Sequence, residues 1–253
     1  MFGLFRKLRR RKILAGPFPD EWLRTIERDV PPYRALTDAQ QARLRDLVQV
    51  FVAEKNWEGC AGLELSDESR VIIAAYACLL IVELDPDSYD HVITILVYPD
   101  EYHAPHKTVT EEGFEREDLQ ARLGEAWSQG VVVIAWAGGV GFGEIRNVVI
   151  HEFAHQLDML NSVVDGTPPL RDAPSVAEWR QVMKAECERF RRQVEVGRPT
   201  FLDPYGATSP AEFFAVASET FFEDPAGLRR EEPTLYRMLS GYYRQDPAGR
   251  EGR

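Results

Sequence analysis

The pentapeptide His151-Glu152-Phe153-Ala154-His155 restricts this chain more than any other stretch of it. It lies in a helical pattern, flanked by Val148, Val149, Ile150 and Leu157. Residues four apart on a helix differ by about 40° around the axis, so both imidazoles leave the same face one turn apart. Two neutral imidazole nitrogens at that spacing can bind one Zn²⁺ at about 2.0–2.1 Å. Glu152 is rotated about 100° from His151, so it can stand beside such a cation without binding it. There it can take a proton from a metal-polarised water. The motif uses two of only five histidines in the chain.

A catalytic zinc takes three protein ligands and keeps one position open. The continuation His155-Gln156-Leu157-Asp158 lacks the glycine and third histidine of the longer HExxHxxGxxH pattern. The missing ligand is then a carboxylate on a later helix. Glu212 and Glu219, seven apart in Pro210-Ala211-Glu212-Phe213-Phe214-Ala215-Val216-Ala217-Ser218-Glu219, share a helix face and are both candidates. Glu212 also has a rival role, as the third helical residue of a capping box with Ser209. Glu219 has one too, as a partner of a metal-bound imidazole. Spacing alone does not choose between them. Asp158, seven residues after His151, either orients an imidazole or faces solvent. Tyr205 lies in a turn-rich Leu202-Asp203-Pro204-Tyr205-Gly206 segment just before the ligand helix.

The rest of the chain is helix-rich. Thr37 with Gln40 opens a helix to about Trp57, and Ser66 caps a second that runs through the apolar stretch Val71 to Val82. His91 to Tyr98 and Val131 to Trp136 read as strands. Ser175 with Glu178 opens a helix whose buried face carries Trp179, Met183, Cys187, Phe190 and Val194. Helices are also expected at about 144–160, from Ser209-Pro210 to about Glu223, and over Pro233 to Tyr243. The expected fold is α+β: one helix-rich domain over residues 17–243 with a small mixed sheet. Residues 1–16 form a basic, flexible segment, and residues 244–253 a loose tail.

Charge and cysteines narrow the functional classes. With 41 acidic against 30 basic residues the net charge is −11, which repels phosphate backbones and argues against direct nucleic-acid binding. The three cysteines (Cys60, Cys78, Cys187) lie far apart and form no CxxC pair, which fits a reducing cytoplasm. Six of residues 6–12 are Arg or Lys. The apolar run after them is too short for a secretory signal, so this start is either a solvated terminus or a weak anchor, through residues 1–14, on anionic lipid or on an acidic partner. The 12-residue run Val71 to Val82 is too short to span a bilayer. The Gly-rich 138–144 lacks the Lys-Ser/Thr of a phosphate loop, and His103 and His106 read as a surface loop rather than a second metal site.

The segments HEFAHQLDMLN (151–161) and YGATSPAEFFAVASETFFEDP (205–225), with WEGCAGLEL (57–65) and EAWSQGVVVIAW (125–136), resemble the MtfA (Mlc titration factor A) family of bacterial zinc peptidases. That family is similar in its metal centre to anthrax lethal factor, a gluzincin. The shared pattern is a Tyr, six residues, a Glu and two Phe, here Tyr205, Glu212, Phe213 and Phe214. The resemblance implies a zincin-type fold, with His151, His155 and Glu212 holding one Zn²⁺, Glu152 as general base and Tyr205 as donor to the oxyanion. It also implies aminopeptidase activity on peptide substrates and binding to the Mlc repressor of sugar-uptake genes. The GxMEN motif of larger aminopeptidase gluzincins is absent, so the residues alone leave exopeptidase and endopeptidase open. The competing reading is a regulatory binding module with a structural zinc.

Overall fold

Five of the described α-helices begin where a side chain accepts an orphan amide of the first turn. The computed structural model describes residues 2–99, 130–135 and 145–250. Within them are α1 (Phe2–Leu14), α2 (Asp20–Asp29), α3 (Asp38–Glu54), β1 (Asn56–Gly59), α4 (Asp67–Leu80), β2 (Thr94–Tyr98) and β3 (Val131–Ala135). Then follow α5 (Ile145–Asp158), α6 (Ala173–Glu195), α7 (Pro210–Glu223), α8 (Pro225–Glu231) and α9 (Pro233–Tyr243). Thr37 makes both halves of its capping box with Gln40, and Ser66 accepts the Ser69 amide. The expectation fails at α6. Its cap is Asp172, which accepts the Ser175 amide at 2.9 Å, so Ser175 is inside the helix rather than at its start.

The described chain divides into two compact units, 1–82 with 89–149, and 83–88 with 150–253. In the first, α4 is the centre. Every residue from Val71 to Leu80 is buried, as a helix apolar on all sides requires. Tyr76 Oη donates to the Asp29 carbonyl at 3.1 Å and so ties α4 to the end of α2. The three described strands pair in the order β1-β2-β3, with Asn56 opposite Thr94 and Thr94 opposite Val131. The sheet was expected to be mixed, but all its described pairs are parallel. The sequence pattern carries α3 on to about Trp57, two residues into β1. Lys55 instead ends that helix in extended conformation, and the next four residues take their hydrogen bonds from β2. Segment 1–16, expected to be loose, is helical over Phe2–Leu14 and held to α3 by Arg10, whose Nη2 reaches Glu54 Oε2 at 2.7 Å. Among the described residues no helix is long and apolar enough to cross a membrane.

In the second unit α7 is the centre. Its apolar side is built from Phe213, Phe214, Phe221 and Phe222, all buried. Phe214 meets Trp179 of α6 and Tyr242 of α9 with ring centroids 5.9 and 6.0 Å apart, and Phe221 stacks on Tyr243 at 5.5 Å. Tyr243 Oη donates to Ser218 Oγ at 2.8 Å, and Ser218 donates to the Phe214 carbonyl, so the buried hydroxyls are satisfied. This packing leaves the opposite edge of α7, with Glu212 and Glu219, to a different task. Residues 244–253, expected to be a loose tail, fold back as far as Arg250, because Ala248 is buried and its amide donates to Tyr236 Oη at 3.0 Å. Cys187 is buried in the α6 face, where the sequence put it. His103, His106 and the glycine-rich 138–144 lie outside the described residues.

Candidate metal centre

The site lies wholly within the second unit, on the part of α5 from Ile150 onward, the turn Pro204–Ala207 and α7. One turn of helix separates His151 from His155, and their rings meet edge-on with centroids 4.8 Å apart. His155 is 2 % and Glu152 6 % exposed, so α5 buries this face rather than offering it to solvent.

Glu212 arrives from α7. Ser209 caps that helix by accepting the Glu212 amide at 3.1 Å, with Pro210 in the first turn, where a missing N–H costs nothing. The return half of a capping box would use the Glu212 carboxylate. That group instead points at the histidines, with Oε2 2.9 Å from His151 Nε2 and 3.3 Å from His155 Nε2. The two Nε2 atoms are themselves 3.1 Å apart. Tetrahedral donors about 2.0–2.1 Å from one zinc ion lie about 3.3 Å from one another. The triangle of 2.9, 3.1 and 3.3 Å therefore has the size of a single metal's coordination shell. Within the described residues, His151, His155 and Glu212 form a group able to hold an ion, with donor atoms all within 4.8 Å of each other.

Glu219, two turns further along α7, meets the other nitrogen of His151, Nδ1. A carboxylate there fixes the ring's orientation and leaves Nε2 aimed at Glu212. The spacing of seven thus gives the two glutamates different places in the cluster. Burial opposes a charge on His151, yet the hydrogen bonds to Glu212 and Glu219, with the Glu152 charge nearby, push its pKa up to about 10. Burial likewise works to raise Glu212, but His151 and His155 outweigh it and hold that carboxyl well below the usual range. Glu219 stays above its ordinary value, because burial outweighs His151. Acidic side chains outnumber the imidazoles in a closed space, a balance that favours a cation among them.

Tyr205 sits in the 3₁₀ turn, 49 % exposed, its ring centroid 6.0 Å from that of His151. Its amide donates to Asp203 Oδ1 at 2.8 Å, and Arg191 Nε of α6 donates to the Ala207 carbonyl at 2.8 Å, so the turn is pinned at both ends. Asp158 neither faces solvent nor carries a hydrogen bond to an imidazole. It is fully buried, and Oδ2 accepts the Gly166 amide at 2.8 Å. Burial raises its pKa to about 6. The role of Gly166 was not visible in the sequence. The glycine has φ +74°, and a Cβ there would fall 2.4 Å from the Pro210 carbonyl oxygen. Trp179 Nε1 donates to the Gly166 carbonyl at 2.8 Å.

Comparison with known proteins places these residues in a lineage. A family model described as glucose-regulated metallo-peptidase M90 matches residues 5–244. The uncharacterized protein slr2042 of Synechocystis sp. is 36% identical over 245 residues, covering 94% of this chain and 89% of that protein. Mlc titration factor A of Salmonella arizonae is 33% identical over 241 residues, covering 91% of this chain and 93% of its own, and that of Salmonella agona is 33% identical over 228 residues, 87% and 85%. A metallopeptidase family implies a metal ion, and the triad of His151, His155 and Glu212 supplies donors of the right chemistry. The chain belongs to the glucose-regulated metallopeptidase M90 family.

Proposed function

We propose that this chain is a zinc-dependent aminopeptidase of the cytoplasm that hydrolyses peptide bonds with Glu152 as general base. The observation that carries the reading is the convergence of His151 Nε2, His155 Nε2 and Glu212 Oε2 in a triangle sized for one ion. Those three atoms would hold zinc. Two nitrogens and one oxygen suit zinc better than calcium or magnesium, which prefer oxygen donors. When bound, zinc supplies a Lewis acid and a water that ionises near neutral pH.

The chain's own groups do the rest. Glu152 is held beside the ligands by the helix itself, and its burial excludes the bulk water that would weaken it as a base. It takes the proton of the attacking water and passes it to the departing amine. Tyr205 stands at the open side of the cluster, where its hydroxyl donates to the oxygen that gains charge as the carbonyl is attacked. Glu219 keeps the His151 ring in the orientation that Nε2 binding needs. Aminopeptidase specificity rests on the resemblance alone, and binding to an Mlc-type repressor on the resemblance and on the name of the Salmonella relatives.

The Glu152→Gln variant tests the enzymatic reading. The amide fills the same space but takes no proton. Turnover of chromogenic amino-acid amides should fall by about 10²–10⁴, the usual worth of a general base. Zinc content by elemental analysis should not change. Undiminished cleavage by that variant would remove Glu152 from the role of general base, and a zinc-loaded parent chain that cleaves nothing would favour a binding module with a structural metal.

A further inference from the structure

The first helix packs the wrong way round for an ordinary surface helix. A helix on a globular core turns its apolar side inward and its charges outward. In α1 the inward face, positions 6, 10 and 13 at i, i+4 and i+7, is led by two arginines. Arg10 Nε and Nη2 lie 3.0 and 2.7 Å from Glu54 Oε2, and Nη2 lies 2.5 Å from Asp90 Oδ1. Arg6 pairs with the other oxygen of Asp90. Gln49 Nε2 donates to the Ile13 carbonyl at 3.1 Å, which fixes the helix at its far end. These ties set the rotation of α1, and the rotation puts Phe5 66 % and Leu8 52 % into solvent. Lys7, Arg11 and Lys12 are exposed around them, while Arg9 turns back to donate to the Ala53 carbonyl of α3 at 3.4 Å. Leu8 and Phe5 are neighbours at i, i+3, and Arg11 and Lys12 follow Leu8 at i+3 and i+4, so this is one face. Within a chain of net charge −11, the helix carries six cations and no acidic residue.

We propose that this outer face of α1 is a docking surface for an anionic lipid bilayer. Three outward cations, Lys7, Arg11 and Lys12, flank two outward apolar side chains on a convex helix about 20 Å long. A helix lying in the interfacial plane needs that arrangement: Phe and Leu enter the acyl boundary while Lys and Arg reach the headgroups on flexible stems. A protein partner needs about 800 Å² of complementary surface on each side, with positioned acids to match each cation. A fluid plane of anions needs no such match, and the exposed Lys7, Arg11 and Lys12 side chains suit it. A nucleic acid would leave Phe5 and Leu8 unused, and the acidic remainder of the chain opposes it. The membrane is held at its surface, in keeping with the lack of any described helix able to span it.

Sedimentation of the full-length protein with sucrose-loaded vesicles tests this, using phosphatidylcholine alone and phosphatidylcholine with one third phosphatidylglycerol. The protein should pellet with the anionic vesicles only, and less so in high salt. Each cation near such a surface is worth about fivefold in partition, so Lys7→Glu with Arg11→Glu should cut binding by more than about tenfold. Phe5→Ser with Leu8→Ser should also cut it severalfold. That second pair changes no charge and removes side chains that are more than half exposed, so it keeps the test sound if charge reversal disturbs α1. Neither pair should alter the melting midpoint of the rest of the chain. Equal pelleting with both vesicle types, pelleting with neither, or full binding by the Phe5/Leu8 variant would overturn the proposal. Retention on immobilised polyglutamate without binding to anionic vesicles would also overturn it, assigning the face to an acidic protein.

Discussion

Asp158 and Gly166 are joined by one hydrogen bond, the glycine amide donating to Asp158 Oδ2 at 2.8 Å, and through it the histidine helix touches the glutamate helix. Asp158 is three residues beyond His155 on α5. Gly166 lies against Pro210 and Ala211 in the first turn of α7, two residues or fewer before Glu212. Trp179 of α6 holds the same glycine from the other side. The loop after α5 is therefore a spacer between the two helices that carry His151, His155 and Glu212, the group able to hold an ion.

Gly166→Ala should damage that spacing. The position has φ +74°, costly for any residue with a Cβ, and the added carbon would meet the Pro210 carbonyl oxygen at 2.4 Å. Relief requires the start of α7 to move, and Glu212 moves with it. Stability should drop by about 1–3 kcal/mol in urea titration, the usual cost of such backbone strain. Zinc affinity, measured by competition with a chromogenic chelator on folded protein, should fall at least about tenfold. Unchanged affinity in the folded variant would show that the loop does not set the distance.

The two glutamates of α7 should separate cleanly. Glu212→Ala removes a donor atom and should leave purified protein nearly free of zinc. Glu219→Ala removes only the partner of His151 Nδ1, so it should keep most of its metal while binding it about 10–100-fold more weakly. Elemental analysis after dialysis, followed by chelator competition, distinguishes the two. Retention by Glu212→Ala with loss from Glu219→Ala would reverse the assignment. Both variants retain the Ser209 cap, which binds the Glu212 backbone amide rather than its side chain, so a lost cap does not confuse the comparison.

Tyr205→Phe should lower kcat by about 10²–10³ while leaving KM and zinc content near those of the parent. The ring remains beside His151 and only the hydroxyl is lost. Steady-state kinetics on amino-acid amides reads the split. A rise in KM with unchanged kcat would mean that Tyr205 binds substrate in its ground state and does not act on the developing charge.

What the sequence disclosed about this molecule was what its local chemistry encodes. The His151/His155 pair, the Ser209 and Thr37 caps and the buried run of α4 each depend on neighbours within one or two helical turns. Long-range partners were less legible. β1 is four residues long and exists because Asn56–Gly59 pair with Thr94–Val97, which no pattern inside the segment announces. Asp172 displaced Ser175 as a cap because both side chains compete for one helix start, and Pro174 fits the first turn only if the helix begins earlier. Gly166 was silent because its task is to be small against Pro210, more than forty positions away. Glu212 and Glu219 were found together, but which nitrogen each would meet depended on the pitch between α5 and α7. Arginines that anchor α1 to α3 were likewise hidden, since a run of like charges reads as solvated unless Glu54 and Asp90 are known to await them.

Lys55 supplies a pH signature independent of the metal. Its ammonium donates to the Tyr89 and Val92 carbonyls at 2.6 and 2.7 Å and lies 5.3 Å from the centre of the Phe51 ring. Burial lowers its pKa from 10.5 to about 8, although Asp90 and Glu54 act the other way. Between pH 8 and 10.5 the unfolded chain therefore holds more protons at this residue than the folded one. Stability from this group rises with pH across that window and is flat on either side. Lys55→Met abolishes the titration while keeping a side chain of similar length. The unfolding free energy of the parent minus that of the variant should climb from pH 8 to pH 10.5, by at most about 3 kcal/mol, because one proton held only by the unfolded chain contributes about 1.4 kcal/mol for each step of one in pH. Urea titrations at several pH values measure it, and contributions common to both proteins cancel. A difference that falls as pH rises would mean that the ammonium is stabilised where it sits, with Glu54 and Asp90 outweighing burial.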